Sequence, residues 1–281
     1  MKDFNETFVA TPHGTLRVVA SGPPLEGAVL LCWPGLGLTA LEFHRLLREG
    51  EERGVRVVAV DPPGHGRSDP APHVAFGDMP AILESLGQSL RIGRCLLVGH
   101  SAGATALLFG ARALPDLAGI VLADGGFHEE AVTGDDGSLR RANDTWMDSL
   151  TFPDWETCLA DARGHLKGWD ANVEAGIRDL FGEQAKGGVR VRGDAGTLTA
   201  WAIALRDYRI ADVPRLDVPA LALWAGSEPG PEPAGISLLR DRLARLSTAC
   251  LPGSGHELFW DQPEAVSREI WAFADRTSVR P

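Results

Sequence analysis

The stretch 95–109 (CLLVGHSAGATALLF) constrains the fold of this chain more than any other. Four apolar residues suit a strand buried on both faces. The apolar run that follows suits a helix, and only small residues separate the two. The join, Gly99-His100-Ser101-Ala102-Gly103, has the form G-x-S-x-G. A strand can turn straight into a helix when the flanking positions carry no side chain to collide with the neighbouring elements. The serine at the apex then sits in a strained conformation with its hydroxyl clear of the sheet. The next N–H opens the helix, has no intrahelical acceptor and is aimed at developing negative charge. The stretch therefore predicts a helix-covered parallel sheet with Ser101 as a nucleophile at its edge.

The rest of the chain repeats that alternation. Strands are expected at 28–33, 55–60, 95–98, 117–123, 218–224 and 248–251, and helices at 41–52, 79–90, 102–114, 238–246 and 263–275. A half-exposed hairpin is expected at 6–20 around the Pro12-His13-Gly14 turn. Between 127 and 213 the pattern changes to helical segments without a buried strand, carrying Trp146, Trp155, Trp169 and Trp201. Within it, 186–196 alternates Val and Arg and fits either a mobile loop or a short hairpin. The expected organisation is a core of 1–126 and 214–281, interrupted by a helical insertion at 127–213.

Composition narrows the function. A net charge of −11 over 281 residues argues against a nucleic-acid partner, which needs a basic face. No apolar run reaches membrane-spanning length, and the first residues lack a signal-peptide core, so a cytoplasmic protein without a membrane partner is expected. Cys32, Cys95, Cys158 and Cys250 show no paired spacing and are expected as thiols, mostly buried. No sequence spacing suggests a metal site, and no phosphate-binding or dinucleotide fingerprint is present, so no cofactor is expected.

Four short motifs follow predicted strands in order: Pro34-Gly35-Leu36-Gly37, the loop 61–69 (DPPGHGRSD), the turn at Ser101, and Gly255-His256. Ligands of open α/β sheets bind at those strand ends. In these motifs the chain resembles the α/β-hydrolase fold superfamily, in the form with a helical cap. The resemblance implies a serine hydrolase whose residues follow the order serine, acid, histidine.

His256 then stands as the base. The acid is expected to be Glu228, in the loop after the penultimate strand, with Asp124 as the alternative and Glu232 as a third choice. The oxyanion hole is assigned to the N–H groups of Leu36 and Ala102, although Pro34 replaces the histidine usual in the family. Trp33, Leu38, His100 and Trp146 are expected to line the pocket, His100 from beneath the turn. His65 is expected to be structural, and His128 and His165 are placed where they could face the pocket from the insertion. The expected reaction is cleavage of an ester, thioester or lactone of a small apolar substrate through an acyl-enzyme. Alternatives are carbon–carbon bond hydrolysis, cofactor-free perhydrolysis, or non-catalytic ligand binding. The sequence is silent on oligomeric state.

Overall fold

Buried apolar runs set the order of the sheet. In the computed structural model, which describes residues 4–23, 28–129, 132–226, 231–277 and 279, the core begins with β1 (Asn5–Thr11), β2 (Gly14–Ser21), β3 (Val29–Trp33), β4 (Arg56–Val60), β5 (Cys95–His100) and β6 (Leu117–Ala123). The intervening helices are α1 (His44–Arg53), α2 (Met79–Ser89) and α3 (Ala102–Gly110). The insertion then contributes α4 (Asp136–Ser149), β7 (Thr151–Phe152), α5 (Trp155–His165), α6 (Ala171–Leu180), β8 (Phe181–Glu183), β9 (Val189–Val191) and α7 (Ala195–Asp207). The core resumes with β10 (Leu216–Gly226), α8 (Ala234–Leu239), β11 (Leu243–Pro252), the single turn α9 (Leu258–Asp261) and α10 (Pro263–Arg276).

Eight strands form one sheet in the order β1-β2-β4-β3-β5-β6-β10-β11. Only the β1–β2 and β2–β4 pairings are antiparallel. β3 shows how the two faces fill. Leu30 and Cys32 join the apolar layer containing Phe43, Leu47 and Ile270, whereas Val29, Leu31 and Trp33 join the layer containing Ile82, Leu86 and Leu107. This is the α/β-hydrolase architecture, with helices on both sides of a mostly parallel sheet.

Three expectations change. The insertion is not purely helical: β7, β9 and β8 form a small antiparallel sheet, and the 186–196 alternation becomes β9, with Val189 and Val191 buried. The expected helix at 238–246 straddles the end of α8 and the start of β11, because the chain turns at the charged residues Arg240, Asp241 and Arg242 between them. The hairpin is not uniformly half exposed. β1 is largely exposed, but β2 lies inside the sheet between β1 and β4 and is largely buried.

All four insertion helices start on an aspartate. The carboxylates of Asp135, Asp154, Asp170 and Asp194 accept from backbone N–H groups two or three residues on, which satisfies donors the helix cannot. Cys32, Cys95 and Cys158 are buried, Cys250 is half-buried, and none of the four is in a disulfide. No helix among the described residues is long and apolar enough to cross a membrane.

A buried ionic cluster joins the insertion to the core. Arg17 on β2 donates to Asp179 on α6 at 2.9 Å, to Asp61 after β4 at 3.3 Å, and to Glu6 at 2.6 Å. Thr39 Oγ1 also donates to Asp179, and Ala40 N–H to Asp61. Burial pushes the Asp61 carboxyl up from its ordinary range, against the opposing pull of the Arg17 charge. Removing the cation would leave two buried carboxyls facing each other. We expect Arg17→Met to cost about 3–5 kcal/mol in urea unfolding at pH 7. A loss below about 1 kcal/mol would show that the cluster does not hold the insertion in place.

Candidate active site

The turn between β5 and α3 takes the form its glycines permit. Ser101 has φ 51° and ψ −121°, in the left-handed half of backbone space that side chains avoid. A Cβ at Gly103 would strike the carbonyl oxygens of Trp33 and Pro34, and one at Gly99 would lie 2.5 Å from Ala104 Cα. Ser101 N–H donates to Ala123 O at 2.8 Å, which ties the turn to the end of β6.

Three side chains from three strand ends meet here. Ser101 Oγ lies 2.9 Å from His256 Nε2, and His256 Nδ1 lies 2.6 Å from Asp124 Oδ2. With Nδ1–H donating to the carboxylate, Nε2 is free to accept from the serine hydroxyl. Asp124 follows β6 directly with φ 44°, a second strained residue. Its N–H donates to Leu223 O at 2.7 Å, and its Oδ1 accepts from Ala225 N–H at 3.2 Å. The carboxylate is thus anchored to β10 while its other oxygen meets the imidazole. His128 Nε2 stands 3.9 Å from Asp124 Oδ1. Burial works to raise the Asp124 pKa, but contacts with His128 and His256 outweigh it and hold the carboxyl well below its usual range.

The loop bearing His256 is fixed from behind. Asp261 accepts from Gly255 N–H at 2.5 Å and from Lys167 N–H at 2.9 Å, while Lys167 Nζ donates to Gly253 O at 2.9 Å. Lys167 belongs to the insertion, so that segment braces the loop directly.

Glu228 lies outside the described residues, and the carboxylate on His256 Nδ1 is Asp124. Glu232 is engaged elsewhere, with Arg240 and Thr248. The signal for Asp124 was present in the sequence: Asp124-Gly125-Gly126 follows a buried strand directly, as Ser101 does.

A cavity of about 540 Å³ opens over these residues. Leu36, Leu38, His100, Ser101, Ala102, Asp124 and His256 line it, with Thr105, Gly125, Gly126, His128, Val132, Leu205 and Glu257. Of the four residues expected in the pocket, Leu38 and His100 border this cavity. Trp33 does not: the alternation of β3 turns it into the core, where it is 2 % exposed. Trp146 is not among the lining residues either. Its ring rests on Gly37, whose φ of 82° and missing Cβ make room for it. His165 is exposed and bonds Asp161 within its own helix. His65 is buried, with Nδ1 2.9 Å from Pro63 O, and burial pushes its pKa down to about 4. A second cavity of about 450 Å³, between the 72–76 loop and α7, holds none of the three converging side chains.

Beneath the cavity lies a group that no sequence spacing announced: Glu42, His100 and Glu257 converge. His100 Nδ1 is 2.5 Å from Glu42 Oε1, and His100 Nε2–H donates to His256 O at 2.9 Å. Burial alone would discharge this imidazole, but the Glu42 carboxylate prevails and its pKa is pushed up to about 9. Burial raises the Glu257 carboxyl above its ordinary range. The 2.5 Å contact between Nδ1 and Oε1 is an ion pair when the imidazole is protonated.

Comparison with known proteins agrees with this fold. Over 93% of its length the chain is 26% identical to 2-(acetamidomethylene)succinate hydrolase of Mesorhizobium japonicum, covering 92% of that protein. It is 38% identical over 112 residues to 2-hydroxy-6-oxononadienedioate/2-hydroxy-6-oxononatrienedioate hydrolase of Burkholderia vietnamiensis, covering 38% of that protein. It is 32% identical over 84 residues to the sn-1-specific diacylglycerol lipase ABHD11 of Danio rerio, covering only 26% of it. Among solved structures, E-2-(acetamidomethylene)succinate hydrolase superposes with TM-score 0.78 at 22% identity over 97% of this chain and 99% of that one. The thioesterase domain from the curacin biosynthetic pathway gives 0.75 at 21%, over 96% and 100%. These structural likenesses speak for the fold. The sequence pattern of the Alpha/beta hydrolase family matches residues 29–269, and the chain belongs to that family.

Proposed function

We propose that the protein is a serine hydrolase that cleaves a carboxylic ester, thioester or lactone of a small, uncharged, largely apolar acyl group. The observation that carries this reading is the unbroken hydrogen-bond chain from Ser101 Oγ through His256 to Asp124. In the proposed reaction His256 takes the serine proton as Oγ attacks the carbonyl, and Asp124 stabilises the imidazolium that forms. The N–H groups of Leu36 and Ala102, on residues lining the same cavity, hold the tetrahedral oxyanion. His256 protonates the leaving group, and water then releases the acyl group by the reverse sequence.

The lining supports an uncharged acyl group. Among the described lining residues none is Lys or Arg, while Leu36, Leu38, Val132 and Leu205 supply apolar surface. Two relatives carry a succinate and a dienedioate in their names. A dianion buried in this cavity would lack a lysine or arginine partner among those residues. The Burkholderia vietnamiensis relative favours a second reading, hydrolysis of a carbon–carbon bond next to a ketone, which the same nucleophile could perform.

A substrate panel separates these readings. Neutral 4-nitrophenyl acetate and butyrate should be turned over with kcat/KM at least about 10-fold above the 4-nitrophenyl hemisuccinate. Equal or faster turnover of the anionic ester would contradict the uncharged-acyl assignment. Turnover of a vinylogous diketone, with every ester left intact, would favour the second reading.

A further inference from the structure

The proposed mechanism leaves His100 and Glu42 without a task, yet both are buried, at 0 % and 4 % exposure. A buried ion pair is a costly thing to keep for packing alone, since apolar residues of similar volume serve as well. We propose that His100 is a positioning residue: as a buried imidazolium paired with Glu42, it ties the loop carrying His256 to the oxyanion turn. The proposal rests on the serine-hydrolase reading above.

The geometry assigns its protons. Nε2 faces the carbonyl oxygen of His256, which can only accept, so Nε2 carries a hydrogen. Nδ1 faces a carboxylate oxygen at a separation too short for two bare lone pairs, so a proton lies on that side as well. The approach is oblique, and neither Glu42 Oε1 nor His100 Nδ1 has a well-aligned hydrogen-bond partner. The pair therefore holds by charge.

Each end of the pair reaches a different part of the site. The other oxygen of Glu42, Oε2, accepts from Gly35 N–H at 3.3 Å, one residue before Leu36. A Cβ on Gly35 would lie 3.1 Å from His100 Nδ1, so the turn sits directly on the ring. At the far end the His256 carbonyl accepts twice, from His100 Nε2–H and from Leu258 N–H at 2.9 Å. The peptide of His256 is thus gripped on its main chain while Asp124 grips its side chain. His100 is the last residue of β5 and precedes the nucleophile, so one rigid strand end fixes Ser101, the oxyanion turn and the base loop together. The Glu257 carboxyl completes the enclosure, with Oε2 buried and unpartnered. Its burial disfavours the carboxylate form, which weakens its competition with Glu42 for the His100 ring.

The test has an arm that needs no substrate. In ring-¹³C-histidine NMR, one of the eight histidines should keep an imidazolium shift at pH 8, and that signal should vanish in His100→Gln. In kinetics scaled to the fraction of chains that a fluorophosphonate labels at endpoint, His100→Ala should lower kcat about 100-fold with KM within about 3-fold. His100→Gln, which still offers a donor to the His256 carbonyl, should recover about 10-fold of that loss. Adding Glu42→Gln to His100→Ala should cost little more, because the two act as a unit. The absence of a charged histidine at pH 8 would overturn the proposal. So would a kcat for both His100 variants within 3-fold of the parent. If the parent protein hydrolyses no ester, the functional reading fails, and the NMR arm still decides the state of the pair.

Discussion

Replacing Ser101 by alanine should reduce kcat/KM on a short-chain aryl ester by at least about 10⁴-fold while leaving the thermal unfolding midpoint little changed. The size of the loss follows from what remains. The oxyanion donors and the cavity would still bind the substrate, but without Oγ the carbonyl has no activated nucleophile within reach of His256 Nε2. The small structural effect follows from the side chain removed. Ser101 projects from a turn whose shape is set by Gly99, Gly103 and its own strained backbone, and alanine keeps that backbone. Activity within about 10-fold of the parent would remove Ser101 from the reaction.

Asp124→Asn should lower kcat by about 10³- to 10⁴-fold, whereas Glu228→Gln should leave it within about 3-fold. Asparagine can offer an N–H to Nδ1, which would place the histidine proton on Nε2 and point it at the serine. The base would then be present in the wrong tautomer. A crippled Glu228→Gln with an active Asp124→Asn would reverse the assignment. The same residue carries a pH signature. Its carboxyl is held below its ordinary range, so the folded state binds this proton less readily than the unfolded chain does. The stability this contributes is complete above the unfolded pKa, about 3.9, and is lost as pH falls towards the folded value. The stability difference between parent and Asp124→Asn should therefore shrink as pH falls from 5 through 4 and below. Growth of that difference over this acidic range would contradict the sign.

Much of this was legible because the constraint is local. Ser101 could be read from five residues, since a strand that meets a helix without a loop tolerates few side chains. His256 could be read from its place after the last strand in a glycine-rich loop. The strands buried on both faces, β3 and β5, announced themselves as unbroken apolar runs. What stayed hidden depends on contacts between distant segments. Whether an acid after β6 or after β10 reaches the histidine depends on loop geometry, because those strands are neighbours and both end at the same rim. Trp33, next to the Pro34 turn, is expected in the pocket, but strand alternation sends it to the core. Arg17 lies in the hairpin expected to be half exposed, but Asp61 and Asp179, 44 and 162 residues away, close over it. The Glu42–His100 pair was invisible for the same reason, its members being 58 residues apart in the chain (100 − 42) and joined only by the fold.

The most direct test of the central claim is covalent. The protein treated with a fluorophosphonate should gain one adduct per chain, and mass spectrometry of the peptides should place it on Ser101. Labelling should slow by several orders of magnitude in His256→Ala and should be absent in Ser101→Ala. An adduct on another residue, or labelling at an unchanged rate without His256, would contradict the account.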